Sequence, residues 1–141
     1  MDDTFGEYII SKDKNKMDSN RVLELLHTTY WAAERSLEIM ERAIENSICY
    51  GVYNQEGYLV AFSRALTDFA TTYYVADVVV DKEYRGKGIG KQMIQYVSKD
   101  DQLQNMRGLL ITKDAHGLYE KYGFSRDGAQ WFMSSKYGEN E

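Results

Sequence analysis

Residues 85–91 read Arg85-Gly86-Lys87-Gly88-Ile89-Gly90-Lys91, and they join two stretches of different period. Upstream, residues 71–81 read Thr-Thr-Tyr-Tyr-Val-Ala-Asp-Val-Val-Val-Asp, a β-branched and aromatic run that reads as a strand. Downstream, Ile89, Met93, Ile94 and Val97 recur at helical spacing as far as about Ser98. Glycines let the backbone take positive φ and come close to a ligand. A helix that starts there offers unpaired N–H groups and the positive end of its dipole. The chemistry this allows is anion binding, phosphate above all. Local charge agrees: Lys82, Arg85, Lys87 and Lys91 stand against Glu83 alone, four minus one, in a chain whose net charge is −5.

Two common phosphate signatures fail. The P-loop needs Ser or Thr after Gly-Lys, and Gln92 follows Gly90-Lys91. The dinucleotide fingerprint needs G-x-G-x-x-G, and the spacing here is Gly86-x-Gly88-x-Gly90. Other chemistry-bearing residues are sparse. The single cysteine, Cys49, reads as a small buried hydrophobe with no neighbouring His, and no His/Cys/Asp group has metal-ligand spacing. Twelve tyrosines supply either an aromatic core or an aromatic-lined cleft.

The elements that must position these residues follow from periodicity. Residues 5–11 read as a strand. Asp18 or Ser19 caps a helix over 20–28, and Leu37, Met40, Ala43 and Ile44 mark a second helix over 31–46. Strands over 47–53 and 58–67 flank an Asn54–Gly57 hairpin turn. After the glycine helix come a short strand at 108–112, a helix at 115–122 closed by Gly123, and one or two strands within 124–135. This order gives an α/β fold with one mixed sheet of six to seven strands and about four helices.

Composition narrows the function further. The length of 141 residues fits a single domain, 1–141 with its core at 5–135. A pI of about 5.1 argues against a nucleic-acid coat, which needs a basic field. The acidic Met1-Asp2-Asp3-Thr4 start lacks the apolar run of a signal peptide, and no stretch is long enough to span a membrane. A soluble, cytoplasmic protein without nucleic-acid or membrane partners is expected, with a homodimer left open.

The pattern [Arg/Gln]-x-x-Gly-x-[Gly/Ala], met by Arg85, Gly88 and Gly90, resembles the acyl-CoA pyrophosphate loop of the GNAT N-acetyltransferase superfamily. Val80-Asp81-Lys82 is similar to the family's Val-x-Pro lead-in, without the proline. Ala115, Leu118-Tyr119-Glu120-Lys121 and Gly123-Phe124 complete the second family signature, Ala-x-x-Leu-Tyr-Glu-Lys-x-Gly-Phe. The element order resembles the family's over nearly all of residues 5–135.

This resemblance implies acetyl transfer from acetyl-CoA, without a metal, to a primary amine of a small molecule by direct attack in a ternary complex. Protein N-acetylation and a non-catalytic acyl-CoA-binding module are the alternatives. The resemblance also implies that the 75–80 and 108–112 strands are parallel and splayed. Val78 and Val80 would face the pantetheine amides. Arg85, Gly86, Lys87, Gly88, Ile89, Gly90 and Lys91 would form the pyrophosphate loop. Thr112 stands where the family often has an Asn that contacts the cofactor. Tyr119 takes the place of the family's general acid. Asp77 is a candidate base, with Glu34 a second candidate, and the Glu that relatives often carry one position earlier is Ala76 here. The acceptor pocket is expected around Tyr30, Trp31, Glu34, Arg35, Tyr73 and Tyr74, with Trp131 added. Aromatic walls plus Asp77 suit a cationic amine, whereas Arg35 suits a substrate carboxylate. Sequence leaves both open.

Overall fold

The computed structural model describes residues 2–135. Six strands form one sheet in chain order: β1 (Asp3–Phe5), β2 (Tyr8–Ser11), β3 (Ile48–Tyr53), β4 (Leu59–Thr67), β5 (Thr72–Val80) and β6 (Arg107–Leu110). Every pairing is antiparallel except β5 with β6, which is parallel. The crossover between those two strands carries α3 (Ile89–Ser98). The helices α1 (Ser19–Leu26) and α2 (Leu37–Glu45) precede β3, and α4 (His116–Glu120) follows β6.

The sheet is covered on both faces, as a mixed α/β sheet requires. On one face Val22, Leu25 and Leu26 of α1 and Met40 and Ile44 of α2 pack against Cys49, Phe62 and Val79. On the other, Ile89 and Met93 of α3 meet Ile10, Val52, Val60 and Ala61, and Val97 joins Tyr50, Ala65 and Val75. Each such fully buried aliphatic side chain contributes roughly 1.5–3 kcal/mol.

Three expectations need correction. Residues 5–11 are not one strand, because Gly6 at φ 55° turns the chain and β1 and β2 form a hairpin. The second helix starts at Leu37, not at residue 31. The Ser36 side chain accepts from the Ile39 N–H and caps it there, while Trp31 and Arg35 of the preceding loop are drawn to β5. No strand forms within 124–135, where a single 3-10 turn at Ala129–Trp131 is the only regular element. Strand preference is a preference for a packed, pleated surface. Trp131 and Met133 are 75% and 91% exposed, so nothing realises it.

Candidate functional site

The β5–β6 pairing runs only from Thr72 with Arg107 to Val75 with Leu110. Beyond Val75, β5 continues to Val80 with no strand on that side among the described residues, so the two strands part. The expected splay is therefore present. Free backbone groups along residues 76–80 line the gap and can pair with an extended ligand.

At the end of this half-free strand the glycine loop begins. Gly86 and Gly88 sit at φ 81° and 80°, and a Cβ added at either would meet open space. Gly88 is the N-cap of α3 and no side chain caps the helix, which leaves its first N–H groups for an anion. Ile89 gives the loop only its backbone, since its side chain is 1% exposed in the α3-side core. Lys87 and Lys91 are exposed beside the loop. Arg85 bends back so that Nε donates to the Val80 carbonyl at 3.2 Å.

A bulge interrupts β5 just before the loop. Phe62 pairs with Val79 and Arg64 with Ala76, so Asp77 and Val78 together oppose Ser63. Tyr73 and Val75 face the α3 side, as do Val78 and Val80. Strict alternation would send Asp77 the same way. Instead its φ of 57° turns it to the α1–α2 face. There Oδ2 accepts from Arg35 Nη1 and Arg64 Nε, both at 2.6 Å, and Oδ1 accepts from Trp31 Nε1 at 3.0 Å. Asp77 is 6% exposed. Burial pushes its carboxyl up, but the two guanidiniums more than reverse this and hold it below the ordinary carboxylate range. A carboxylate so engaged is a poor proton acceptor. Arg64 was not singled out from sequence; its nearest signal is a lone charge in the otherwise apolar β4.

The remaining candidates separate. Tyr30 packs edge-on against Trp31 at 5.1 Å, and Lys113 Nζ lies 4.7 Å from the Tyr30 ring centroid. The α1–α2 loop thus reaches the β6–α4 loop across the splay. Glu34 is exposed on that loop. Tyr74 lies half-buried on β5, whereas Tyr73 packs on the α3 side beneath Gly108. Trp131 stands on the C-terminal segment beyond α4, away from Asp77, and lines one cavity with Tyr119 and Thr112.

Tyr119 is 7% exposed, packs edge-on against Phe124 at 6.1 Å, and has no hydroxyl partner among the described residues. Burial, with Asp114 nearby, pushes its phenol up to about 12, so it stays protonated at neutral pH. It lines a cavity of about 670 Å3 together with Leu110, Thr112 and Phe124, which does not include the Asp77 cluster. The Thr112 hydroxyl accepts from the Ala115 N–H at 3.0 Å and shapes the turn into α4. Cys49 is fully buried, and burial pushes its thiol up to about 11, far from a reactive thiolate. Among the described residues no group of His, Cys, Asp and Glu could hold a metal, and no helix is long and apolar enough to cross a membrane.

A splayed parallel pair that feeds a glycine-capped helix is the arrangement that the two sequence motifs imply, and the family model of the acetyltransferase (GNAT) domain matches residues 45–126. The chain belongs to the GNAT acetyltransferase family. A GNAT-family protein of Xanthomonas campestris pv. campestris is 35% identical, covers 95% of this chain and 96% of its own, and superposes with a TM-score of 0.87. An acetyltransferase relative from Gibberella zeae is 26% identical over 84% of this chain and 78% of its own length. An aminoglycoside 6'-N-acetyltransferase solved with coenzyme A shares the fold at a TM-score of 0.55 and 23% identity, over 64% of this chain and 53% of its own. The enzyme is thus a GNAT acetyltransferase with a six-stranded mixed sheet and four helices.

Proposed function

We propose that this GNAT protein moves an acetyl group from acetyl-CoA to the primary amine of a small molecule, by direct attack while both are bound. The observation that carries the reading is the juxtaposition of the gap beside residues 76–80 with the uncapped start of α3. A pantetheine arm fits the first and a pyrophosphate the second, and a fold relative is known with coenzyme A.

When bound, acetyl-CoA supplies an activated thioester. Gly86, Gly88 and Gly90 hold the pyrophosphate through backbone N–H groups, with Lys87 and Lys91 adding charge. Val78 and Val80 pair with the pantetheine amides, and an N–H of this strand polarises the thioester carbonyl. The acceptor nitrogen attacks as the free base, having lost its ammonium proton to solvent. The C–N bond forms, the C–S bond breaks, the departing sulfur takes a proton from the Tyr119 hydroxyl, and the proton that the nitrogen sheds on becoming an amide passes through solvent to restore the phenol. Asp77 takes no proton; it positions the bulge and the loop that carries Trp31 and Arg35. The domain is read as 1–141 and its location as cytoplasmic.

Incubation with acetyl-CoA and an amine panel, while free thiol is followed, tests this. Thiol release that depends on both an amine and acetyl-CoA is expected. Tight acetyl-CoA binding without release from any small amine refutes the reading. In that case acetylation of protein amines, followed by mass, or a purely binding role is what remains.

A further inference from the structure

Around the bulge the charges do not balance. Two guanidiniums, Arg35 and Arg64, converge on a single carboxylate oxygen of Asp77, and their side chains are only 18% and 13% exposed. A mostly desolvated cation is costly unless it is matched. Glu34, next to Arg35 in sequence, is exposed and makes no ion pair among the described residues. A third cation, Lys113, stands over Tyr30 at the same loop junction.

The unused donors point to what supplies the match. Arg35 bonds through Nη1 alone, to Asp77 and to the Met40 sulfur at 3.7 Å. Its Nε and Nη2 have no protein acceptor among the described residues. Arg64 uses Nε for Asp77 and Nη1 for the Ser47 hydroxyl at 3.1 Å, which leaves its Nη2. None of these nitrogens is sealed in the core, where the unpartnered atoms are the Tyr53 hydroxyl and the Ser63 hydroxyl. They are half-spent forks that solvent or a ligand can reach. A fork of this kind matches the paired oxygens of a carboxylate or phosphate.

Position then limits the substrate. Asp77, which orients both forks, directly precedes Val78 on the strand that is read above as presenting the thioester carbonyl. An anion held here would stand beside the strand segment at which the nitrogen is proposed to attack. We infer that the acceptor is an amine that bears a carboxylate or phosphate close to its nitrogen, and that the free faces of Arg35 and Arg64 bind that anion. This settles on an anionic acceptor rather than a purely cationic one, and it rests on the proposed acetyl transfer.

The test compares matched amines with acetyl-CoA: α-amino acids against their carboxamides, and phosphoethanolamine against ethanolamine. The pairs also tell a carboxylate from a phosphate. A charge-assisted bidentate contact predicts that kcat/KM favours the anionic member by about 10- to 100-fold in at least one pair. In Arg35→Gln that preference should fall towards unity while the shift in melting temperature caused by CoA stays. If Arg35→Gln fails to fold, the wild-type ratios decide alone. Release of thiol from neutral members as fast as from anionic ones overturns the inference and leaves acetyl transfer standing. No release from any member, with acetyl-CoA still bound, overturns acetyl transfer and the inference with it.

Discussion

Asp77→Asn distinguishes a counter-ion from a base. Asparagine keeps the shape and tolerates a φ of 57°, so the backbone is not what changes. What changes is charge: Arg35 and Arg64 each lose a 2.6 Å bond to a carboxylate and then face one another uncompensated. Removal of one partner from a buried ion pair costs about 3–5 kcal/mol, and the partial exposure of both arginines places this case near 3 kcal/mol. At about 2–4 °C per kcal/mol for a domain of this size, Tm should fall by roughly 6–12 °C in calorimetry at pH 7. The pH dependence has a definite sign. The folded carboxyl lies below its ordinary value, so its stabilisation is complete above about pH 4 and fades as pH falls through the lower folded value. The gap between wild type and variant should hold from pH 7 to pH 5 and narrow below about pH 4. A gap under about 2 °C at pH 7, less than 1 kcal/mol is worth, or one that widens in acid, refutes the reasoning. A variant that kept its Tm and lost the acid limb of its kcat/KM profile would make Asp77 the base after all.

Gly88→Glu should abolish the CoA-induced shift in Tm while circular dichroism stays native. Gly88→Ala, with the same backbone cost of about 1–2 kcal/mol at φ 80°, should keep that shift. Gly90→Ala should raise stability by about 0.5 kcal/mol in a denaturant melt, because its new Cβ meets Val80 Cγ2 at an ordinary 3.5 Å. Tyr119→Phe should lower kcat by about 10²- to 10⁴-fold with CoA affinity unchanged, and wild-type turnover would reduce Tyr119 to a packing residue.

The element order and the glycine loop were legible because each is written in local chemistry, whereas the splay came only with the family resemblance. Val78, Val80 and the glycines that follow announce a strand, a stop and a helix start within a dozen residues. The boundaries that failed depend on partners far away in sequence. The helical pattern in sequence runs back to Trp31, yet the loop residues there answer to Asp77, 46 positions on. Trp131 and Phe132 look like strand residues, but propensity without a surface to pack against forms nothing. The bulge is the hardest case. A run of Val and Ala hides a slip in alternation, since either face accepts an apolar residue. Only the polar Asp77 within it shows which way the chain has turned. Its acidity suggested proton transfer, and nothing in sequence shows that Trp31, Arg35 and Arg64 already occupy its oxygens.

A half-paired strand must also be kept from collapsing onto its neighbour, and the arginines on the α1–α2 side do this. Asp77 is held by Arg35 from the loop after α1 and by Arg64 from β4. At the far end of β5, Asp81 is held by Arg21 of α1 at 2.6 Å. Arg21 is itself fixed by the Leu59 carbonyl at 2.9 Å and by the Tyr58 ring at 4.0 Å. The free stretch 76–80 is thus pinned at both ends from behind, and its open edge is left to face β6 across the gap. Each anchor is an ion pair between side chains on the face away from α3, so neither anchor uses a backbone N–H or C=O of residues 76–80. The two carboxylates that bracket the strand have the same task. They fix a backbone whose own N–H and C=O groups are proposed to meet the ligand, which is why an acid beside that segment need not take part in proton transfer.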